Sequence, residues 1–511
     1  MKIERSKNAG RNIVFGTFLK LYEILLPFIM RTVIMYELGV KYLGLNSLFT
    51  SILQVLNLAE LGVGNAMVFS MYRPIAEDNA SKIRAYLCLY KKYYRIIGGV
   101  ILVIGLSITP LVPKLIRDDV PKGMNVYILY LLNLLATVLT YWLFSYRKSL
   151  LQAHQRTDVI SKVTIVTNTI MYASQILVLV LFQNYYYFVI AILATQVMNN
   201  VATAIISKKM YPDYDPYGDL EKEEIDNLNQ RIKDLFTSKF GGTIVSSADT
   251  IVISGFLGLK ILAIYQNYFY IMNAVTGFMG IIYTSILAGV GNSMIVKSVE
   301  KNRKEFYTFT FLFSWLCAIC VSCFLVLYQP FMKLWMGKKM LLNGKMIVLF
   351  CIYFWTYELV KMMSVYKDAG GIWHQDRFRP LIAGIVNLVI NVSVVKFIGL
   401  YGIVLSTIIS IIFINIPWIV KNIFEYIFKT SPKKYFLSLL NYTLGITLIA
   451  VINYFATNFI RGEGIIIIGI KGIITVLISS IFFAIIYFKS ESFKPAKKLL
   501  LKLLHLNKLI K

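Results

Sequence analysis

The chain has 511 residues, 57% of them hydrophobic and only 15% charged, with a mean hydropathy of +0.66. Soluble domains hold roughly 45–50% apolar and about 25% charged residues, so a water-soluble globular chain is excluded. The net charge of +27 would point to nucleic acid in a soluble protein. In a membrane protein it reads as topology, because Lys and Arg collect on the cytoplasmic side.

Apolar segments number about 14 when a span of roughly 20 residues is the ruler. They lie near 13–35, 45–70, 96–113, 125–144, 160–182, 186–206, 240–257, 263–288, 306–328, 346–365, 380–398, 401–420, 435–458 and 464–488. The expected fold is an all-α polytopic membrane protein. Its seventh segment is the most dilute, because Ser246, Ser247, Asp249, Thr250 and Ser254 interrupt it. With the N-terminus inside, inner segments hold roughly 38 Lys and Arg and outer ones about 12. That bias favours an even number of spans with both termini cytoplasmic, and it keeps the seventh. Lys20 and Glu23 break the first apolar run, so no cleavable signal peptide is expected. The five cysteines sit in or beside spans, which implies no extracellular disulfide framework.

In chain order, helix 1 sets Lys20, Pro27 and Arg31 on one face, with Glu23 within a turn of Lys20. A cationic stripe suits a diphosphate headgroup, since Arg grips phosphate oxygens with two parallel hydrogen bonds. On this reading Lys20 and Arg31 line a cavity. The alternative is that Lys20 and Glu23 neutralise each other while Arg31 snorkels to the surface. Pro27 removes a helical hydrogen bond and serves as a bending point or a static kink. Helix 2 carries the polar stripe Gln54, Asn57 and Glu60, suited to bonds between helices, with Glu60 also a substrate-binding candidate. In the linker, "DYD" (Asp213–Asp215) reads as a turn, for no nucleotide-binding domain accompanies it.

Helix 7 holds Asp249, the candidate for coupling to a proton or sodium ion, with oxygen ligands from Ser246, Ser247 and Thr250. A basic neighbour would explain it structurally instead. "CAICVSC" (Cys317–Cys323) has metal-like spacing but no His or carboxylate nearby, and reads as core packing. Helix 10 sets Glu358 and Lys361 one turn apart, as an ion pair or a second coupling site. Helix 11 offers Asn387 and Asn391 at i, i+4, to sugar hydroxyls or as glue between helices. The tail "FKPAKKLLLKLLHLNKLIK" alternates Leu and Lys at helical spacing and is expected on the inner leaflet surface. There is no GxxxxGK[ST] and no HExxH, so neither catalytic residue, metal nor cofactor is expected. Uphill transport would then draw on an ion gradient or on consumption of the product outside.

The sequence also repeats itself. "GVGNAMV" (Gly62–Val68) recurs about 227 positions later as "GVGNSMI" (Gly289–Ile295). "LGVK" (Leu38–Lys41) returns as "LGLK" (Leu257–Lys260), Pro110 as Pro330, and His154–Gln155 as His374–Gln375, each about 220 positions on. Each pair is six helices apart, so both copies face one side. Such parallel repeats, related by an axis along the membrane normal, build secondary transporters with a site between the halves. The expected divisions are a six-helix lobe over 1–206, a cytoplasmic linker over 207–239, a second six-helix lobe over 240–420, and helices 13 and 14 with a basic tail over 421–511. In the heptapeptides, Gly–Asn lets the backbone turn or pack closely.

"LGVKYLGLNSLFTSILQVLNLAELGVGNAMVFSMYRPIAEDN" resembles the opening of Wzx-type polysaccharide flippases. "SKFGGTIVSSADTIVISGFLGL", "QPFMKLWMG" and "GGIWHQDRFRPLIAGIVNLVINV" are similar to later signatures of that family. The resemblance covers most of helices 1–12. It implies a MATE-like fold of two six-helix lobes around a cavity, in the superfamily of multidrug exporters and lipid II flippases. It further implies a bacterial cytoplasmic-membrane protein, not an enzyme. Such a protein moves undecaprenyl-diphosphate-linked oligosaccharide from the inner to the outer leaflet by alternating access, for surface polysaccharide. A cation-coupled multidrug antiporter or a lipid II flippase of the same fold stays open beside it. A membrane-embedded polysaccharide polymerase would need a sizeable outer loop, and the longest loops are inside.

Overall fold

The computed structural model describes residues 5–60, 62–117, 120–121 and 123–503. Among these, the regular structure is helical and includes no strand. The helices are α1 (Arg5–Glu37), α2 (Val40–Leu56), α3 (Val63–Ala76), α4 (Ala80–Ile108), α5 (Val126–Trp142), α6 (Tyr146–Ala153), α7 (Thr157–Phe182), α8 (Tyr185–Met210), α9 (Lys222–Leu257) and α10 (Leu259–Val296). They continue as α11 (Val299–Met336), α12 (Gly344–Ala369), α13 (Trp373–Asp376), α14 (Arg379–Ile398), α15 (Leu400–Ser410), α16 (Ile416–Asn422), α17 (Lys433–Asn458), α18 (Ile465–Tyr487) and α19 (Phe493–Leu503). Several starts carry the cap their sequence supplies. The Asn79, Asn125, Asn184 and Asn343 side chains each accept a first-turn amide of α4, α5, α8 or α12 at 2.9–3.0 Å.

All 14 expected apolar segments fall on helices. Among the described residues, 11 helices are long and apolar enough to cross a membrane. They become 12 if α5 and α6, bent by 52° at their junction, count as one span. The other two expected spans, α1 and α9, are helices of 33 and 36 residues that fall outside this set. In α9, which begins in the polar linker at Lys222, the described apolar stretch is Ser247–Leu257. The protein is an all-α, multi-pass membrane protein.

By contact density the chain forms two units, Met1–Ala263 and Ile264–Lys511. In the first, α1 packs along α7, α5 lies against α4 and α8, and α9 packs on α2 and α3. Thus the seventh expected helix joins the first unit. The linker is a strap, not an open tether. The Asp213 carbonyl accepts Arg84 Nε at 2.6 Å, Arg147 pairs with Asp215, and Lys82 Nζ meets Glu224 Oε1 at 2.8 Å. In the second unit, α11 packs against α12, α17, α18 and α19. Its core is aromatic: Phe306 and Phe311, both buried, contact Tyr366, Phe424, Phe428, Tyr435 and Phe483.

One of the repeated pairs shares a backbone conformation. Gly39 and Gly258 adopt φ of 104° and 93° with ψ of 172° and 168°. Each lets one long helix pass into the next without a loop, a conformation that L side chains rarely adopt. The two heptapeptides, by contrast, differ. Gly62, with φ of 94°, breaks the chain ahead of α3, whereas Gly289 lies inside the unbroken α10. The surroundings differ too: a Cβ on Gly62 would stand 2.7 Å from Leu235 Cβ of α9, while one on Gly289 would meet nothing within 4 Å among the described residues.

Candidate functional site

The polar stripe of helix 2 lies at this break. Beyond Leu56, residues Asn57–Glu60 form a 3-10 turn, which swings two of the three stripe residues toward neighbouring helices. Glu60 Oε1 accepts Tyr94 Oη of α4 at 2.9 Å, and Tyr90 Oη donates to Tyr94 Oη at 2.6 Å. Asn57 Oδ1 accepts Tyr141 Oη of α5 at 3.0 Å, and the rings of Tyr94 and Tyr141 stand 5.4 Å apart. A Cβ on Gly64 would press on Glu60 Oε1 and Tyr90 Oη, both at 3.1 Å, so a side chain at 64 would compress the network. Gln54, the third member, is exposed.

A second carboxylate–tyrosine pair lies in the second unit. Glu358 of α12 is 1% exposed, and its Oε2 accepts Tyr283 Oη of α10 at 2.6 Å. Tyr283 packs against Phe313 of α11 at 4.7 Å. Glu358 thus turns to Tyr283, not to Lys361. The Lys361 side chain is exposed and lies over the Tyr357 ring, its Nζ 5.1 Å from the centroid. The pairing of Glu358 with Lys361, one of the two expectations for helix 10, does not form. The physical reason is solvation: a buried carboxylate takes a hydroxyl donor at hand, while the long ammonium stem reaches outward.

The remaining candidates separate. Lys20 and Glu23 do pair, at 3.7 Å, with both side chains about half exposed. Arg31 is part-buried on the same helix, and Pro27 sits within α1 without ending it. Asp249 is buried in α9 with Ser247 and Thr250, whereas the side chain of Ser246 lies outside the described residues. Asn387 and Asn391 have no exposed surface. Asn387 Nδ2 donates to Thr407 Oγ1 at 2.9 Å and to Ser406 Oγ at 3.3 Å, and Ser406 donates to Asn391 Oδ1. These bonds fasten α14 to α15, and they fit the helix-to-helix alternative for the two asparagines. The three cysteines of α11 hold no cation site: no group of three His, Cys, Asp or Glu is placed to bind a metal among the described residues.

Sequence reading passed over Tyr90, Tyr94, Tyr141 and Tyr283, which give the carboxylates their partners. With 34 tyrosines in the chain, nothing in the sequence marks these four. It also passed over a buried network in "HQDRFR". Arg379 grips Asp376 with two bonds of 2.7 and 2.8 Å and donates to Asn415 Oδ1 at 2.5 Å, with Lys367 3.7 Å from the same carboxylate. Chemically, the protein therefore offers two carboxylates held by tyrosine hydroxyls, Glu358 buried and Glu60 part-buried. Such groups can take up a proton or release it, or can exchange the tyrosine for another donor.

Neither a family model nor a curated protein matches the chain. Solved structures do. The lipid II flippase MurJ, in an inward closed conformation, has a TM-score of 0.68 at 15% identity, over 93% of this chain and 99% of its own. An inward-facing multidrug resistance MATE family transporter of the MOP superfamily has 0.60 at 12% identity, over 79% and 96%. The Vibrio cholerae MATE transporter VcmN has 0.54 at 16% identity, over 81% and 95%. At these identities the likeness is one of fold: the chain has the polytopic fold seen in MurJ and the MATE transporters.

Proposed function

We propose that this protein is a transporter of the MOP-superfamily kind. It flips diphosphate-linked oligosaccharide from the inner to the outer leaflet by alternating access, and is not an enzyme. The observation that carries the reading is coverage. The fold of a lipid-linked substrate flippase extends over 93% of this chain, against 79–81% for the multidrug transporters. The oligosaccharide rests on the Wzx-like stretches quoted above. On this reading Lys20 and Arg31 attract the diphosphate, and Glu60 and Glu358 exchange donors or protons as the protein changes state. Asp249 supplies coupling to a proton or sodium gradient, and Asn387 and Asn391 act as fasteners.

Deletion of the gene, followed by leaflet-resolved assay of lipid-linked intermediates, tests this. Intermediates are expected to be stranded on the inner leaflet, with surface polysaccharide reduced. Intermediates that reach the outer leaflet but stay unpolymerised would transfer the protein to the polymerase class. Unchanged intermediates with raised drug sensitivity would make it an exporter.

A further inference from the structure

A groove of about 780 Å³ opens in the second unit beside the repeated His–Gln pair. Its walls run from Ile382, Phe413 and Ile414, through Trp418, to Lys421 and Glu425. The helix bearing most of them is irregular on both sides of α16, with π segments at Ile411–Asn415 and Ile423–Phe428. Such segments are often found at functional sites. The first unit treats its own copy of the pair differently. There His154 is 5% exposed and stacks on Tyr211 of the linker at 4.2 Å, so the chain covers the place itself. His374 is exposed, and the groove lies open.

Three features describe the occupant. First, polarity is graded: Phe413 and Lys421 are eight residues apart, or about 12 Å along a helix at 1.5 Å per residue. One end is apolar and the other is charged. Second, Lys421 and Glu425 both line the charged end, both are exposed, and neither forms an ion pair among the described residues. Third, Asn422 also lines the groove, is 5% exposed, and its Nδ2 meets no acceptor among the described residues. A cation and an amide donor beside a separate carboxylate match a phosphate joined to a primary ammonium. A lone phosphate would leave most of the volume empty, since even a water claims only about 30 Å³ of liquid.

We propose that this groove holds one zwitterionic aminophospholipid of the membrane. Its phosphate lies at Lys421 and Asn422, its ammonium at Glu425, and its acyl chains along Ile382, Phe413 and Ile414. Trp418 and Tyr426 flank the headgroup, where amphipathic rings favour the membrane–water boundary. The inference does not depend on what the protein transports.

Native mass spectrometry of the full chain, titrated with phosphatidylethanolamine, phosphatidylcholine, phosphatidylglycerol or inorganic phosphate, tests it. One phosphatidylethanolamine should be retained per chain, in preference to phosphatidylcholine, whose ammonium cannot donate a hydrogen bond, and to phosphatidylglycerol, which has none. Lys421→Gln and Glu425→Gln should each weaken retention about fivefold, the effect of one charge near a membrane surface. Both residues are exposed, so folding is not at stake. Lys345→Gln, at the start of α12, should leave retention unchanged. Equal retention of all three lipids, retention by either groove variant at the parental level, or displacement by millimolar phosphate would each overturn the proposal.

Discussion

Tyr283 of α10 donates a hydrogen bond of 2.6 Å to the buried carboxylate of Glu358 on α12, so two helices share one polar contact in an apolar core. Tyr283→Phe removes that donor and leaves Oε2 bare. The expected cost is about 1–3 kcal/mol for an unsatisfied buried group, read as a lowered unfolding midpoint in detergent. The double variant Tyr283→Phe with Glu358→Gln should cost less than the sum of the singles, because the pair acts as a unit. Strict additivity would show that the bond contributes nothing.

Gly44 of α2 faces the backbone of Leu259, and a Cβ there would overlap the Leu259 carbonyl. Backbone cannot step aside as a flexible side chain can. Gly44→Ala is therefore expected to destabilise the fold by about 1–3 kcal/mol, the usual range for overpacking. Gly99→Ala, where a Cβ would meet nothing within 4 Å, is the matched control. Equal stability of the two variants would refute the close approach.

His154 is held below its ordinary value of 6.5, chiefly because burial disfavours the charged ring; the Leu150 carbonyl and Asp78 oppose this. The neutral ring is the folded form, so its contribution to stability is complete above about pH 6.5 and is lost as pH falls below it. Protection of the amides over 211–217, measured against intrinsic exchange at the same pH, should therefore fall on acidification. His154→Phe keeps the stacking and cannot titrate, so it should flatten the pH dependence. An unchanged profile would assign it to another group.

Replacing Arg31 with Ala should impair glycan export, while Arg31→Lys keeps the charge and loses the two-pronged grip, giving an intermediate rate. The measurement is surface polysaccharide at matched protein level. Normal export from Arg31→Ala would return Arg31 to a surface-anchoring role.

Asp249→Asn preserves shape and hydrogen bonding but cannot ionise. If Asp249 couples transport to an ion, this variant should export more slowly and lose its response to the proton or sodium gradient. Parental rates with parental gradient dependence would make the residue structural.

Composition and periodicity were enough to place the helices, because a bilayer span of about 20 apolar residues is a one-dimensional signal. The LGVK and LGLK motifs share one conformation, because the positive φ at Gly39 and Gly258 is a property of the glycine itself. What the chain could not disclose was partnership. Gly62 breaks a helix and Gly289 does not, although their sequences nearly coincide, and among the described residues a side chain at 62 would meet α9 while one at 289 would meet nothing. Glu358 chose Tyr283 over Lys361 three residues away because packing brings α10 to α12. Asn387 and Asn391 were polar enough for a sugar, but the approach of α15 consumed them. Polar side chains in a membrane protein take whichever donor or acceptor the neighbouring helix presents. Which helix is the neighbour is decided only in three dimensions.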